Sequence, residues 1–575
     1  MLILGMGGIH DTCYALMEDG KFLAIYEEER FNRIKHNSVG LNFDLGYRSN
    51  SALSRMLKEC GVKMSDIDYF AEGFSVSHIR GQLPSTLLEH ANVYSHHVSS
   101  GTENIQSALR SIARPVYHSV MGNKRFASFI TSNIRGIDAK KLEFVKHHDA
   151  HAASAFFGSN FKRANTIILD AMGEYNATSL YASTEEHPFE LLKEFSSATN
   201  SIGFVYAAFT FYLGFKKGDE GKTMGLAPYG NPARFRDAFK KVIKLTSDGY
   251  VIDPRFYSVE HIEKTFGTKK RRKDELVLND YYEHVAAALQ ERLENVYLHL
   301  AKLTYEQTGY DSFTLAGGVA MNAKANGKLC ADFENCKNIY VCPQAGDNGI
   351  AAGAAMYVYW QKTGKRPEPM EHIYWGTEYR DEEIEKVLKK AKAKYTRVEN
   401  PSADAADMLA KGKILGWFQG RMEVGARALG NRSILADPAV EGMKDTINYF
   451  VKGREAWRPF ALSMPAEYGK EYLEHNMDSP FMILIDDVKE EWRKALSAGV
   501  HVDQTTRPQT LERRLNPKYY DLMKEFGKQT GHYSVLNTSF NLAGEPIVEH
   551  PMHALSDFAT SGMDALFLGN FKLEK

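Results

Sequence analysis

Two histidines stand four residues apart in an alanine-rich stretch, and this spacing could place both side chains on one metal ion. The stretch begins His147-His148-Asp149-Ala150-His151 and continues with alanines and a serine. In a helix, residues i and i+4 share a face, so His147 and His151 would be neighbours one turn apart. Imidazole nitrogens at that separation can bind one transition-metal ion. Two unrelated histidines on an alanine-rich helix are the plain alternative.

Carboxylates follow two apolar runs that are typical of buried strands. Asp170 comes directly after Thr166–Leu169, and Asp347 follows Asn338–Val341 within Gly346-Asp347-Asn348-Gly349. A carboxylate at a strand end beside a glycine turn could supply a hard oxygen ligand to a metal. It could equally cap the turn, and the local pattern leaves both interpretations open.

Glycine-rich segments indicate sites for a nucleotide phosphate. The predicted strand Ser312–Ala316 leads into Gly317-Gly318 and then to Asn322, where a helix is expected. A strand, a glycine pair and a helix N-terminus together can accept a phosphate. The segment 219–230 carries Asp219, Lys222 and three glycines but no Walker A motif. Its backbone amides with one ammonium could still bind phosphate, and an ordinary surface loop is the alternative.

Basic residues recur beside glycine turns and predicted strand ends in the C-terminal half. Guanidinium groups bind phosphate and carboxylate through two parallel hydrogen bonds, and hydroxyl and amide side chains can complete such a site. Taken singly, each arginine is more typical of a surface ion pair, but their shared placement favours convergence on a small anion. The candidates are Arg427, Lys452, Arg454, Arg458 and Arg507, with Asn537 and Ser539.

Length and composition exclude several classes of protein. A chain of 575 residues is too long for one hydrophobic core, so two or more domains are expected. The 71 Lys and Arg residues nearly balance 72 Asp and Glu residues, which predicts no general attraction to nucleic acid or to a membrane surface. Five cysteines without a CxxC pair predict neither a disulfide scaffold nor a zinc knuckle. No run approaches the roughly 18 apolar residues of a membrane span. The first residues lack signal-peptide features, so a cytoplasmic protein is expected.

Alternating strand and helix patterns predict an α/β fold with a linker after the middle of the chain. Asp19-Gly20 predicts a hairpin turn, and 280–303 carries apolar residues at the spacing of a long amphipathic helix. The polar, proline-containing segment 364–369 is the predicted linker. Two domains are therefore expected, 1–365 and 371–575.

The motifs taken together resemble the O-carbamoyltransferases of antibiotic and nodulation-factor biosynthesis. The resemblance is carried by His147-x-x-x-His151, Asp170, Gly221-Lys-x-Met-Gly-Leu-Ala-x-Tyr-Gly230, Gly317-Gly-Val-Ala-x-Asn322 and Gly346-Asp347. It covers nearly the whole chain. It implies an N-terminal actin/sugar-kinase-like domain with two lobes, similar to the threonylcarbamoyl-transferases, over 1–365. Over 371–575 it implies a YrdC-like α/β domain that forms a carbamoyl adenylate.

The resemblance also implies roles for individual residues. The implied metal ligands are His147, His151, Asp170 and Asp347. The metal would be iron(II) in the first place, and this ligand set also suits Mn or Zn. The implied nucleotide-binding residues are Lys222, Gly317, Gly318 and Asn322. Carbamoyl phosphate and the adenylate are assigned to Arg427, Lys452, Arg458, Arg507, Asn537 and Ser539. The implied catalytic residues are His10 as general base, with Lys35 and Asp219 on the acceptor side.

The function implied by the resemblance is ATP-dependent carbamoyl transfer. Carbamoyl phosphate and ATP, with Mg for ATP, would give carbamoyl adenylate, and a hydroxyl of a small natural product would then receive the carbamoyl group. Alternatives on the same fold are carbamoyl transfer to a protein thiol, as in hydrogenase maturation, and a nucleotide-binding regulator. A simple sugar kinase would leave the basic C-terminal half unexplained. Small molecules are the expected partners, with no nucleic acid and no membrane, and a homodimer is left open.

Overall fold

The chain forms two units of mixed α/β structure that are not continuous in sequence. A computed structural model describes residues 1–8, 11–37, 50–77, 122–216, 218–271 and 280–575. Contacts group Met1–Ile25 with Val39–Met370, here called the N-terminal unit, and Tyr26–Ser38 with Glu371–Lys575, here called the C-terminal unit. The short segment 26–38 therefore packs with residues that follow it by several hundred positions.

The first sheet combines an antiparallel start with a parallel extension. Its strands are β1 (Leu2–Gly7), β2 (Cys13–Glu18), β3 (Lys21–Glu27), β4 (Tyr69–Glu72) and β5 (Leu142–Phe144). Their order is β3-β2-β1-β4-β5, with β1 antiparallel to β2 and parallel to β4. Asp19 and Gly20 both have positive φ, as the predicted tight hairpin turn requires.

The second sheet repeats this plan. The strands that follow are β6 (Arg163–Leu169), β7 (Asn176–Thr184), β8 (Glu190–Ser196), β9 (Ile243–Thr246), β10 (Gly249–Ile252), β11 (Ser312–Ala316) and β12 (Asn338–Val341). The order is β12-β11-β6-β7-β8, while β9 and β10 form a separate hairpin. Antiparallel strands β6, β7 and β8 are again extended by parallel strands, here β11 and β12. The N-terminal unit thus contains two sheets of one strand order.

Helices cover these sheets and meet closely where small residues allow it. The helices of the N-terminal unit include Ser51–Cys60, His147–Phe156, Ser197–Asn200, Ile202–Tyr212, Glu220–Leu226, Arg236–Val242, Val259–Phe266, Asp280–Thr308, Ala323–Asp332 and Ile350–Thr363. Helices His147–Phe156 and Ile350–Thr363 pack together at Gly353, where a Cβ would overlap the carbonyl oxygen of Ala150. This approach brings two helix N-termini together, which matters for the site below.

The C-terminal unit is built on one sheet of eight strands. The strands of the whole unit are β13 (Thr396–Arg397), β14 (Leu415–Phe418), β15 (Arg432–Ala436), β16 (Ala461–Pro465), β17 (Asp486–Asp487), β18 (Thr505–Thr506), β19 (Pro508–Leu511), β20 (Val535–Ser539), β21 (Ala565–Leu568) and β22 (Phe571–Glu574). The order is β13-β22-β21-β14-β15-β20-β16-β19, and β17 pairs with β18 apart from it. The sheet is mixed, because β14 is parallel to β21 and antiparallel to β15.

Both faces of this sheet are buried. The helices of the unit are Glu28–Asn32, Asp381–Lys390, Pro401–Ala410, Met443–Thr446, Gly469–Tyr472, Pro517–Thr530 and Pro551–Thr560, with a π-helical turn at Ile447–Val451. Trp417 packs with the core that includes Leu409 and Leu522, while the next residue, Phe418, packs with the core that includes Leu388 and Phe558. Alternating side chains of a strand point to opposite faces, so successive residues of β14 serve two different cores.

The segment between the units is anchored rather than loose. Arg366 donates hydrogen bonds to the carbonyl oxygens of Phe156, Ser159 and Phe161 at distances of 2.6 to 2.8 Å. The proline-containing stretch therefore follows the surface of the N-terminal unit up to the division at Met370. Among the helices of the described ranges, none combines the length and the apolar character that crossing a membrane requires.

Candidate functional site

Four side chains of the N-terminal unit converge on one point. His147, His151, Asp170 and Asp347 each offer a ligand atom, and these atoms all lie within 4.8 Å of one another. His147 Nε2 lies 3.1 Å from Asp170 Oδ2 and 3.5 Å from Asp347 Oδ1. His151 Nε2 lies 3.6 Å from Asp170 Oδ2 and 3.8 Å from Asp347 Oδ1. The four residues are called the His–Asp group below.

The fold explains why residues so far apart in sequence meet here. Asp170 follows β6, and Asp347 follows β12 on the same parallel part of the second sheet. Carboxyl ends of parallel strands lie at one edge of a sheet, where ligands commonly bind. The two histidines lie in the first turns of helix His147–Phe156, which packs against the helix that begins at Ile350, just after Asp347.

The group is electrostatically coupled. Burial alone would lower the pKa of His147, but the Asp347 and Asp170 carboxylates outweigh it and raise that pKa well above its usual value. Burial would raise the pKa of each carboxyl, but the histidines lower that of Asp170 well below its usual range and also lower that of Asp347. The carboxylates are therefore held ionised and ready to accept a cation.

His151 is the member that points most directly to a metal. The residue is fully buried, and neither ring nitrogen has a hydrogen-bond partner among the described residues. Buried polar atoms are nearly always satisfied, so an imidazole without a hydrogen-bond partner beside two carboxylates suits the binding of a metal ion. Two imidazoles with two carboxylates suit Fe(II), Mn or Zn.

Neighbouring groups hold the ligands in place. Asp170 Oδ1 accepts hydrogen bonds from the backbone N–H groups of Ala171 (2.8 Å) and Gly318 (3.1 Å), which leaves Oδ2 for the histidines. The buried Glu174 accepts from the backbone N–H of His147 (2.9 Å), where the helix begins, and from that of Ser75 (2.9 Å). Such supporting contacts commonly set the orientation and affinity of metal ligands. Nothing in the local sequence pattern marked Glu174 for this role.

The candidate nucleotide-binding loop lies directly on the His–Asp group. Gly317 has φ of +94°, and a Cβ there would overlap the backbone of Leu169, so only glycine fits. Gly318 contacts Asp170 through its backbone N–H. Asn322 caps the following helix through the Ala325 N–H (3.0 Å), and its amide also bonds with the side chain of Gln290.

Lys222 and Asp219 lie on a neighbouring element. Lys222 Nζ is 3.3 Å from Asp219 Oδ2 at the start of helix Glu220–Leu226. This helix packs against helix Asp280–Thr308, which also carries Gln290 and so connects to Asn322. Helix Asp280–Thr308 therefore contacts both the helix of Lys222 and, through Gln290, the candidate nucleotide-binding loop.

The remaining catalytic candidates fall elsewhere. His10 lies outside the described residues. Lys35 lies in the turn Lys35–Asn37 of the segment that packs with the C-terminal unit. There its charge is among those that lower the pKa of Lys452, after burial and two nearby arginines. Lys35 therefore belongs with the basic residues of the C-terminal unit, whereas Asp219 belongs to the N-terminal unit.

Five cations of the C-terminal unit crowd together. Burial, followed by repulsion from three arginines, lowers the pKa of Arg507 well below its usual range. Burial and repulsion from Arg458 lower the pKa of Arg427 to about 10. Arg454, one of the basic residues of the sequence that received no individual role, has its pKa lowered to about 9 by burial and Arg458. The members of this basic cluster are Arg427, Lys452, Arg454, Arg458 and Arg507.

Two members of the basic cluster have buried donors to spare. The Nε atoms of Arg427 and Arg507 are buried and have no hydrogen-bond partner within the described ranges. Lys452 is better satisfied, since its ammonium donates to the carbonyl oxygens of Ser539 (2.7 Å) and Asn541 (2.8 Å). Like charges buried together with unused donors are costly unless an anion joins them.

A buried polar network joins the segments that carry the basic cluster. Asn537 on β20 donates to the carbonyl oxygen of Ala428 (3.2 Å) and to Ser463 on β16 (3.0 Å). Ser463 in turn donates to Gln509 on β19 (2.7 Å), whose amide donates to the Leu429 carbonyl (3.0 Å). Asn537 thus links the turn of Arg427 with the strand that follows Arg507. The short spacing between Arg507 and Gln509 in the sequence was the available signal for Gln509.

Asp557, a buried carboxyl whose pKa is influenced by Lys452, predicts how stability depends on pH. Burial and repulsion from Glu545 raise the pKa of Asp557 to about 7, although Arg33 and Lys452 oppose the shift. A carboxyl whose pKa is raised on folding contributes stability below its unfolded pKa and loses it as pH rises through the folded pKa. We expect the free energy of unfolding of Asp557→Asn to exceed that of wild type at pH 8 by roughly 1–2 kcal/mol, which raises the melting temperature. The gain should shrink towards pH 5.

Melting curves at pH 5 and pH 8 check this expectation, with Asp407→Asn as the control. Asp407 is an exposed carboxylate of the same unit, paired with Lys411 at 2.6 Å. A variant that loses stability equally at both pH values would show that Asp557 is held ionised instead.

Comparison with known proteins agrees with the two-part organisation. The family model described as "Carbamoyltransferase N-terminus" matches residues 2–356, and the one described as "Carbamoyltransferase C-terminus" matches residues 406–575. Nodulation protein NolNO of Sinorhizobium fredii is 35% identical over 583 residues, which span 99% of this chain and 79% of that protein. The 3'-hydroxymethylcephem-O-carbamoyltransferase of Amycolatopsis lactamdurans is 28% identical over 61% of this chain and 64% of its own length.

Solved structures are more distant. Full-length HypF in a phosphate- and nucleotide-bound form is 13% identical, covers 64% of this chain with 56% of its own, and has a TM-score of 0.33. A score of that size does not establish a shared fold. The sequence matches, by contrast, extend over both units of the chain, and on them the protein belongs to the carbamoyltransferase family of enzymes.

Proposed function

We propose that the protein is an ATP-dependent O-carbamoyltransferase that modifies a hydroxyl group of a small natural product. Family membership supports the transfer of a carbamoyl group. The name of one relative, a 3'-hydroxymethylcephem-O-carbamoyltransferase, supports a hydroxyl acceptor, and that of another, a nodulation protein, supports a specialised metabolite.

The basic cluster is the observation that carries the proposal. Carbamoyl phosphate and the triphosphate of ATP are anions that would neutralise this partly buried group of cations. The unused Nε donors of Arg427 and Arg507 would bind phosphate oxygens in the planar, paired geometry that guanidinium favours. The contacts of the Lys452 ammonium with the carbonyl oxygen (2.7 Å) and the hydroxyl (3.5 Å) of Ser539 support a role for Ser539 beside the basic cluster. We infer that this unit is YrdC-like and forms the adenylate.

The proposed first reaction balances as follows. Water cleaves the P–O bond of carbamoyl phosphate, which releases inorganic phosphate and leaves carbamate. A carbamate oxygen attacks the α-phosphorus of ATP, and pyrophosphate leaves to give carbamoyl adenylate. The cations of the C-terminal unit stabilise the negative charge that moves onto the departing carbamate in the first step and onto pyrophosphate in the second.

The proposed second reaction uses the N-terminal unit, for which we infer an actin/sugar-kinase-like fold. The repeated strand order of its two sheets supports that inference. Gly317, Gly318 and Asn322 would bind the adenylate, with Lys222 on the phosphate side. His147, His151, Asp170 and Asp347 would hold a divalent metal, iron(II) in the first place, which would supply positive charge to a nucleotide phosphate. Mg would accompany ATP.

Transfer then requires the acceptor hydroxyl to lose a proton. The hydroxyl oxygen attacks the carbamoyl carbon, the bond from that carbon to the phosphate oxygen breaks, and AMP leaves. A histidine with a pKa near neutrality suits the role of base, and His10 remains our proposal for it. Asp219 is proposed to line the acceptor side. For Lys35, its place among the residues of the C-terminal unit favours a role in binding anions there.

A screen of hydroxylated metabolites tests the proposal. We expect one or more to gain the mass of one carbamoyl group, only when carbamoyl phosphate and ATP are both present. Matched analogues that lack the hydroxyl should stay unmodified. Modification of thiol compounds alone would favour the protein-thiol alternative, and phosphorylated sugar with ADP would favour a kinase.

A further inference from the structure

The charged segment near the start of the chain belongs to the C-terminal unit. Residues Tyr26–Ser38 group with that unit by their contacts. Within this segment, Glu27, Glu28 and Arg30 are almost completely buried. A buried ion pair adds little net stability compared with apolar residues of similar size. Positioning of neighbouring groups is therefore a better explanation of this ion pair than stability.

The Glu27–Arg30 pair holds one glycine by both of its backbone groups. Arg30 donates to Glu27 Oε2 (2.9 Å) and to the carbonyl oxygen of Gly425 (2.6 Å). The Gly425 N–H donates back to Glu27 Oε1 (3.2 Å). Gly425 has φ of +93°, a conformation that disfavours other residues. One ion pair thus fixes the two peptide groups that flank Gly425.

That turn carries a member of the basic cluster. Arg427 lies two residues after Gly425, and its buried Nε has no partner among the described residues. The other end of the turn is held by the buried Glu423, which accepts from the backbone N–H groups of Leu429 (2.7 Å) and Arg432 (3.1 Å). Two buried carboxylates, Glu27 and Glu423, therefore hold the turn on both sides of Arg427.

Arg33 makes a second contact of the same kind. Its guanidinium donates to the carbonyl oxygens of Ile547 (2.7 Å) and Pro546 (2.8 Å). The same loop begins near Asn541, whose carbonyl and side-chain oxygens both accept from Lys452 at 2.8 Å. The segment therefore braces the loop that places Lys452 as well as the turn that places Arg427.

We propose that Glu27, Arg30 and Arg33 are positioning residues for the basic cluster, and that they set its affinity for phosphate-bearing ligands by fixing the turn of Arg427 and the loop bound to Lys452. The choice of carbamoyl phosphate as the ligand rests on the proposed function. The positioning role does not, because the affinity for phosphate or pyrophosphate also measures it.

The test compares phosphate binding in matched variants. In Glu27→Gln/Arg30→Met, both charges of the pair are removed together, and Glu29, which also lies 3.3 Å from Arg30, keeps its hydrogen bond from the backbone N–H of His36. We expect the affinity for pyrophosphate, measured by calorimetry, to fall about 10- to 100-fold, because small displacements of binding groups have effects of that order. The KM for carbamoyl phosphate should rise in parallel, while the KM for the acceptor stays unchanged. Arg55→Met/Glu59→Gln removes a helix ion pair of the N-terminal unit as a control.

A second variant, at the partly exposed Arg33, provides the test if the first variant fails to fold. Arg33→Met is expected to weaken pyrophosphate binding in the same direction, and Arg33→Lys to restore only part of it, since one ammonium cannot replace the fork. Wild-type affinity for pyrophosphate in folded Glu27→Gln/Arg30→Met, or in Arg33→Met, would overturn the proposal. If binding falls but wild type forms no carbamoyl adenylate, the positioning role stands and the proposed function fails.

Discussion

Replacing His151 with alanine is expected to remove tightly bound metal and to slow carbamoyl transfer by at least about 100-fold. His151 is fully buried and lies within 4 Å of both carboxylates of the His–Asp group, so its loss removes one of the four proposed ligands. Formation of the adenylate should continue at the wild-type rate, because the basic cluster belongs to the other unit. Metal content, pyrophosphate release and carbamoylated product, measured on one preparation, separate these effects.

The control is His187→Ala, an exposed histidine of the same unit. It should keep wild-type metal content and transfer activity. A His151→Ala protein that retains stoichiometric metal and full transfer would show that the His–Asp group is a structural hydrogen-bonded cluster.

Replacing Arg507 with methionine is expected to lower carbamoyl phosphate-dependent pyrophosphate release by about 100-fold or more and to raise the melting temperature of the ligand-free protein. Activity falls because a phosphate ligand is lost from a buried site. Stability rises because burial and repulsion from Arg427, Arg454 and Arg458 already weigh against the charge. Opposite effects on activity and stability are the mark of a site built for an anion.

Arg513→Met is the matched control for Arg507. Arg513 is exposed and paired with Asp521 at 2.9 Å, so its loss should change neither activity nor melting temperature by much. A decrease in melting temperature for Arg507→Met, with activity retained, would place Arg507 among structural residues.

Several elements could be predicted because local pattern decides them. The strands Ser312–Ala316 and Asn338–Val341 have the predicted bounds, since each is a short apolar run between turn residues. The helix that carries His147 and His151 formed as the i, i+4 spacing requires. Because β6, β11 and β12 are parallel, the residues at their carboxyl ends come together.

Other features depend on contacts between distant residues, which no local pattern contains. The run Glu27-Glu28-Glu29-Arg30 is typical of a solvated surface, and the interleaved Phe31 and Ile34 also allow a partly buried network. Only the structure shows that Arg30 is buried and donates to Gly425, which lies 395 positions away. The proline-containing linker looked free, but Arg366 ties it to three carbonyl groups. Arg454 resembles any basic residue of its stretch, and only the nearby Arg458 and Arg507 reveal its setting.

The fate of ATP in the absence of an acceptor tests the proposed two-step reaction most directly. Purified wild-type protein is incubated with carbamoyl phosphate, ATP and Mg, and its nucleotides and phosphates are quantified. We predict pyrophosphate, inorganic phosphate and carbamoyl adenylate or AMP, all dependent on carbamoyl phosphate and strongly reduced in Arg507→Met. Release of ADP, or ATP consumption that does not depend on carbamoyl phosphate, would contradict it.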